Sequence, residues 1–449
     1  MRGLLELFIV VGTGICLVEG DQLLLLQAIW RHGDRAPIKK CLGDPISEKD
    51  WPRGWGQLTA EGMAQHVKLG KIIYNRYVKE LKFLSPLYNA NEIYVRSTDV
   101  NRTLLSAVSN FIGFYNNPYV NERTGIDFPN ITEWPQGFVA VPVHTVKNEH
   151  DFIGNPSAKC PRQDWLRKMM YLTTEWKDLS MKYENISNDF EKICKESVSL
   201  HDLWGPVDAF YCEKLHGFQI AVNDALYEQL TQINNKVQNF ENGLDLKPYD
   251  GIDFKHEIGK IRGGSVLWSM LNHFDLKLHC LQPKNRGTAH CKWMENLNYY
   301  AYSAHDTTLA ALMCTLDAKF KILNSNEYPR YSSSMLFELW DTKNGPALKA
   351  YYHRNFTQTE LEDVTSLLDH CADNMDSDGY CNYHKFRASG IPYYPGDKDK
   401  LCQDTTSKKT YFNPDEPQPK SAPMVSYGPV VMLLVALQLL VPQMRFFSS

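Results

Sequence analysis

The sequence predicts an α/β fold: a doubly wound sheet with helices on both faces, interrupted by a mostly helical stretch. Three observations predict it. Strand-like apolar runs alternate with helical periodicity over residues 23 to about 114, and again over about 263 to 352. Between them, over about 143–253, apolar residues recur at helical spacing among charges, most clearly at 163–183, 190–195 and 223–240. Finally, three of the strand-like runs end in charged or hydroxyl-rich turns, where open α/β sheets bind ligands.

The first strand is Leu23-Leu24-Leu25-Leu26-Gln27-Ala28-Ile29-Trp30, and it runs straight into Arg31-His32-Gly33-Asp34-Arg35-Ala36-Pro37. Arg31 and Arg35 supply two permanently charged planar forks suited to phosphate or carboxylate. His32, between them, is a side chain that can be neutral and nucleophilic near neutral or mildly acidic pH. Gly33 allows a backbone conformation, or a close ligand approach, that a Cβ would obstruct. Asp34 fits a structural role such as orienting an arginine.

The second strand holds Ile93, Tyr94 and Val95 and ends in Arg96-Ser97-Thr98-Asp99, with helical periodicity following over 100–111. Arg96 thus stands at a strand end beside a helix start, whose free N–H groups also favour anions. Asn101-Arg102-Thr103 is formally a glycosylation sequon, but its helical setting speaks against use. The third strand, residues 297–302, leads into Ser303-Ala304-His305-Asp306, and Thr307-Thr308 opens another helix.

Four segments in this order resemble the histidine acid phosphatases, the branch of the histidine phosphatase superfamily that includes lysosomal and prostatic acid phosphatases. They are RHGDRAP from Arg31, WPRGWGQLTAEGMAQH from Trp51, YVRSTDVNRTLLSA from Tyr94 and AHDTTLAAL from Ala304. The resemblance covers roughly residues 23–402. It implies that His32 is the nucleophile, forming a phosphohistidine that water hydrolyses. It assigns Arg31, Arg35, Arg96 and His305 to the phosphate and Asp306 to protonating the leaving alcohol. It also implies that residues 143–253 are a helical cap inserted into a discontinuous catalytic domain, 21–142 and 254–408, and that the cap shapes leaving-group preference.

No cofactor or metal is expected, because the arginines supply the positive charge and no metal-ligand spacing or phosphate-binding glycine loop occurs. The other histidines (His66, His144, His150, His216, His273) read as packing or surface residues, with His66 and His273 candidates for support around the pocket. A net charge of −4 and the lack of a basic run argue against nucleic acid.

The 449 residues, 43% of them hydrophobic, allow a large core. Residues 1–20 read as a secretory signal peptide, with the apolar run 7–18 and, against it, Glu6. Its loss would remove Cys16 and leave ten cysteines, an even number suited to disulfides in an oxidising lumen. The family resemblance implies the pairs Cys160–Cys402, Cys212–Cys314 and Cys371–Cys381. Cys280 and Cys291 flank a short Pro-Asn-Gly loop and could bridge locally; Cys41–Cys194 would then follow by elimination. Sequons at Asn130, Asn185 and Asn355 agree with the secretory route.

Residues 409–424 read as a linker, and 425–444 form an uncharged, apolar segment just long enough to span a bilayer. A cleaved tail for a lipid anchor is the alternative. The single span is favoured because several relatives carry one. Either tether would leave the catalytic domain in the lysosomal lumen or at the cell surface. Homodimers are common among the relatives, but no interface can be placed.

The expected activity is hydrolysis of phosphate monoesters. A specialised phytase-like or lysophospholipid phosphatase is the nearest alternative, although Ile38 replaces the Thr often found after the motif's proline in phytase-like relatives. Lys39 and Lys40 follow it. A silent phosphate-binding receptor is the reading from another class, and retention of His32, Asp306 and the arginines argues against it.

Overall fold

A computed structural model describes residues 20–115, 124–135, 137–325 and 327–405. All of the expected signal segment except Gly20, the linker 409–424 and the apolar segment 425–444 lie outside them.

The centre is a seven-stranded mixed sheet. Its strands are β1 (Gln22–Arg31), β2 (Ile93–Ser97), β3 (Tyr299–Ala304), β4 (Ser334–Thr342), β5 (Gly345–His353), β6 (Glu362–Asp363) and β7 (Cys381–Asn382). They lie in the order β2-β3-β1-β4-β5-β6, with β7 also paired to β5. The first three are parallel, while β4 and β5 run antiparallel to their neighbours. The α/β expectation holds, with a doubly covered sheet that is mixed.

The buried pattern of β1 explains the two covered faces. Leu25 and Ile29 enter one apolar cluster, whereas Leu26, Ala28 and Trp30 enter another. Alternation with period two sends neighbours to opposite faces. One face is covered by α1 (Ala60–Tyr74) and α2 (Asn101–Tyr115), which pack on each other.

The chain between β2 and β3 supplies the rest. Helices α3 (Pro161–Met170), α4 (Thr174–Cys194), α5 (Trp204–Leu215) and α6 (Asp224–Glu241) share an apolar cluster of their own, centred on Leu166, Phe190, Phe210 and Phe240. Ile258 and Ile261 of α7 (Phe254–Arg262) and Leu401 complete it from outside this run. Next come α8 (Gly264–Leu281), the short α9 (Lys292–Asn296) and α10 (Asp306–Thr315). Helices α8 and α10 cover the second sheet face through Leu271, Phe274, Leu309 and Leu312.

Four disulfides are present among the described residues: Cys41–Cys194, Cys160–Cys402, Cys280–Cys291 and Cys371–Cys381. The expected Cys212–Cys314 bridge is not formed, and both thiols are free and buried. Their settings differ. Cys212 Sγ lies 3.2 Å from the Tyr331 hydroxyl and 3.6 Å from Arg35 Nη1. Cys314, on α10, faces the Lys319 and Arg262 charges instead. Asn130 and Asn185 are exposed, and Asn355 is half-buried.

Candidate active site

Because β2, β3 and β1 are adjacent and parallel, their carboxyl ends open on one edge of the sheet. Arg31 pairs with Ala304 and Ser97 with Ser303 in register, so the three predicted turns leave the sheet together. Backbone bonds then join the turns. His32 N donates to Ala304 O at 3.1 Å, and Thr98 N donates to Ser303 O at 3.1 Å.

At Gly33 a close approach does exclude a Cβ, and the group that approaches is backbone. A Cβ there would lie 2.2 Å from the Gly62 carbonyl, and a Cβ on Gly62 would strike the Asp34 carbonyl. The turn after β1 and the first turn of α1 meet backbone to backbone, which only paired glycines permit. Thr59, the N-cap of α1, fastens the contact by donating from its own N to Asp34 O.

His32 is 2% exposed. Its Nδ1 lies 2.8 Å from the Gly33 carbonyl. A carbonyl can only accept, so Nδ1 carries the proton and Nε2 holds the lone pair. Burial, then the charges of Arg102, Arg31 and Arg35, hold His32 well below the usual imidazole range. The ring is therefore neutral.

Arg31 reaches Asp306 through Nη2 at 2.9 Å and Pro329 O through Nη1 at 2.7 Å, and it stacks 4.2 Å above the Tyr331 ring. Arg35 is held by Asp208 of α5, one guanidinium nitrogen to each carboxylate oxygen at 2.9 Å. His305 is the N-cap of α10; its Nε2 lies 3.0 Å from Thr98 Oγ1 and its ring lies 5.7 Å edge-on to His32. Burial and the arginine charges push it down too. Asp306, the first residue of α10, accepts from Thr307 N at 2.7 Å.

Arg96 does not join them. Strand alternation turns it toward Tyr300, Tyr302 and Asp151, and it binds Asp151 Oδ1 at 2.6 Å. Arg102, in the first turn of α2, stands where Arg96 was expected. It is the first charge acting on both His32 and His305, and burial and then Arg35 push it down to about 10. Its Nε, like those of Arg31, Arg35 and Arg96, is buried without a partner, but Arg96 alone of the four is spent on Asp151. Three unsatisfied guanidinium donors around a neutral imidazole form a cradle for a dianion.

Comparisons with known proteins place the chain in a family. The family model of the histidine phosphatase superfamily, branch 2, matches residues 22–354. The chain belongs to that family. It is 32% identical to bovine (Bos taurus) prostatic acid phosphatase over 78% of this chain and 81% of the relative. It is 30% identical to lysosomal acid phosphatase of Rattus norvegicus over 87% of this chain and 84% of the relative. Among solved structures, the apo form of Hafnia alvei phytase superposes with a TM-score of 0.56 at 15% identity, covering 86% and 99% of the two chains. At that identity the superposition speaks for the fold alone.

Around the histidine phosphatase centre, several residues fall outside the sequence expectations. Asp208 and Asp151, the carboxylates that hold Arg35 and Arg96, come from the segment between β2 and β3 and carried no local signature. Asp34 holds no arginine; its Oδ2 accepts from Thr59 Oγ1 and from His216 Nε2, the latter at 2.8 Å. His66 does support the site, donating from Nε2 to the Arg31 carbonyl at 3.1 Å. His273 lies near Arg96, bonded to Gln27 and Tyr302. His144 stacks on Tyr94. His150 is exposed. Among the described residues no group of three or more His, Cys, Asp or Glu could hold a metal ion.

Proposed function

We propose that the protein hydrolyses phosphate monoesters through a phosphohistidine on His32. The observation that carries this reading is the state of His32, neutral and tied back through Nδ1, with the charges of Arg102, Arg31 and Arg35 acting on the ring. In the first step the Nε2 lone pair attacks phosphorus and the P–O bond to the alcohol breaks. The leaving oxygen takes a proton from Asp306. In the second, water attacks the phosphoryl group, gives its proton back to Asp306, and the N–P bond breaks. Arg31, Arg35 and Arg102 hold the equatorial oxygens in both steps, where phosphoryl transfer gains most from fixed positive charge.

Asp306 begins paired to Arg31. An incoming phosphate dianion competes with the carboxylate for that guanidinium.

Simple monoesters are preferred to polyphosphorylated rings. Lys40, which could have served a second phosphate, donates to the carbonyls of Asp44 and Ile46. Lys39 stands 4.0 Å from Asp202. Four disulfides, and relatives named lysosomal and prostatic acid phosphatase, favour the secretory pathway or lysosome. Among the described residues no helix is long and apolar enough to cross a membrane. Tethering through 425–444 therefore rests on that segment's sequence alone.

The test is phosphate release by the full chain from an aryl phosphate at about pH 5 with excess chelator, beside His32→Ala. Chelator-resistant turnover that disappears in His32→Ala is expected. A folded, oxidised wild type that releases no phosphate from any ester overturns the reading.

A further inference from the structure

Helix α5 meets the catalytic turn and the segment after it at three points. Asp208 clamps Arg35. At the helix C-cap, His216 reaches Asp34. Between these, Glu213 meets Asp44.

This middle contact joins two acids. Glu213 is 0% and Asp44 4% exposed. Both Glu213 carboxyl oxygens and Asp44 Oδ2 are buried without a donor, and Asp44 Oδ1 takes only the Ile46 N–H. The nearby ammonium of Lys40 is committed to two backbone carbonyls. Two carboxylates cannot both ionise in such a place without separating or admitting water. A proton shared between them supplies the missing donor.

We propose that Glu213 and Asp44 are positioning residues that share one proton, and that this bond seats α5 so that Asp208 can aim Arg35 at the phosphate. The Asp44 side of the contact is fixed: Cys41 is disulfide-bonded to Cys194 of α4, and Gly43 N donates to Cys194 O at 2.7 Å. Loss of the proton therefore displaces α5 rather than the segment carrying Asp44. Burial and then the Asp44 charge push Glu213 up to about 8, against Lys40. Elsewhere on the helix, Asp208 is spent on Arg35, Lys214 on Asp224 and Cys212 on the Tyr331 hydroxyl, while His216 faces Asp34. The device rests on the phosphatase reading only for its activity readout.

Glu213→Gln and Asp44→Asn each leave an amide–carboxyl hydrogen bond that needs no shared proton. The full chain and both variants are compared by kcat/KM on one aryl phosphate from about pH 5 to about pH 9, so that ionisation of the substrate cancels in the ratio. With the ratio of variant to wild type set to one at about pH 5, it should rise about twofold at pH 8 and about tenfold at pH 9. A flat ratio in folded variants overturns the proposal. A second readout needs no turnover: the infrared C=O stretch of a buried protonated carboxyl, present in wild type at about pH 6 and titrating away near pH 8. Its absence from wild type overturns the proposal even if the variants fail to fold or no ester is hydrolysed.

Discussion

The Gly33 carbonyl lies 2.8 Å from Nδ1 of His32, the residue immediately before it in the chain. This one bond selects the tautomer and leaves Nε2 as the only lone pair on the ring. Depressed basicity does the rest. Burial, and then the charges of Arg102, Arg31 and Arg35, keep the imidazole unprotonated.

Arg102 and Arg96 should separate cleanly on substitution. Arg102→Ala is expected to lower kcat/KM by about 10²- to 10³-fold, as loss of one fixed donor to a charged transition state does. Arg96→Ala should keep most of the turnover but strand the buried Asp151, at a cost of about 3 kcal/mol in stability. Steady-state kinetics and urea unfolding of the two variants decide it. The reverse pattern would return Arg96 to the phosphate.

Asp306→Asn removes the proton donor while leaving the position filled. Its cost should depend on the leaving group: about 10²- to 10⁴-fold for alkyl phosphates and much less for a nitrophenyl ester, whose oxygen needs no acid. Equal losses on both would place Asp306 in binding alone.

His66 is held at about 3 by burial, although its bond to the Arg31 carbonyl opposes this. The unfolded imidazole titrates near 6.5, so the native state binds fewer protons in between. The stability from this site is full above about pH 6.5 and drains away as pH falls toward about 3. His66→Gln should therefore flatten the decline of Tm between about pH 6.5 and pH 4, whatever its Tm at neutrality. An unchanged slope would count against a neutral His66.

Two thiols from the described residues, Cys212 and Cys314, should react with a thiol reagent in denaturant without reductant, with Cys16 adding a third if residues 1–20 are retained. Removing Cys160–Cys402, which closes a loop across 242 residues, should cost about 2–5 kcal/mol. Cys212→Ala should cost its packing and the Tyr331 hydroxyl's partner. A thiol count without these two would restore the expected bridge.

The strand-end residues were legible because strand, turn and helix N-terminus are contiguous in the chain. His32, Arg31 and Arg35 lie within five residues, and His305 and Asp306 are neighbours. Arg102 was missed because it sits on the helix rather than in the turn. A base in the first turn works against the helix dipole, and that was the available clue. Arg96 was misplaced because alternation along β2 sends it to the opposite side from Val95 and Ser97. Asp208 could not be read locally, since it meets Arg35 across 173 residues. The antiparallel half of the sheet did carry a sign, Asn344-Gly345 at the β4–β5 turn, with Gly345 at φ +94°.

The central claim is the covalent bond to His32. The direct measurement is to mix the full-length enzyme with a fast aryl phosphate, quench within a turnover into alkali, where phosphohistidine survives, and map the added phosphate by mass spectrometry. The account predicts one phosphoryl group on the peptide carrying His32, accumulating more in Asp306→Asn and absent from His32→Ala. A phosphoryl group on any other residue, or turnover with no phosphorylated enzyme and inverted stereochemistry at phosphorus, would contradict it.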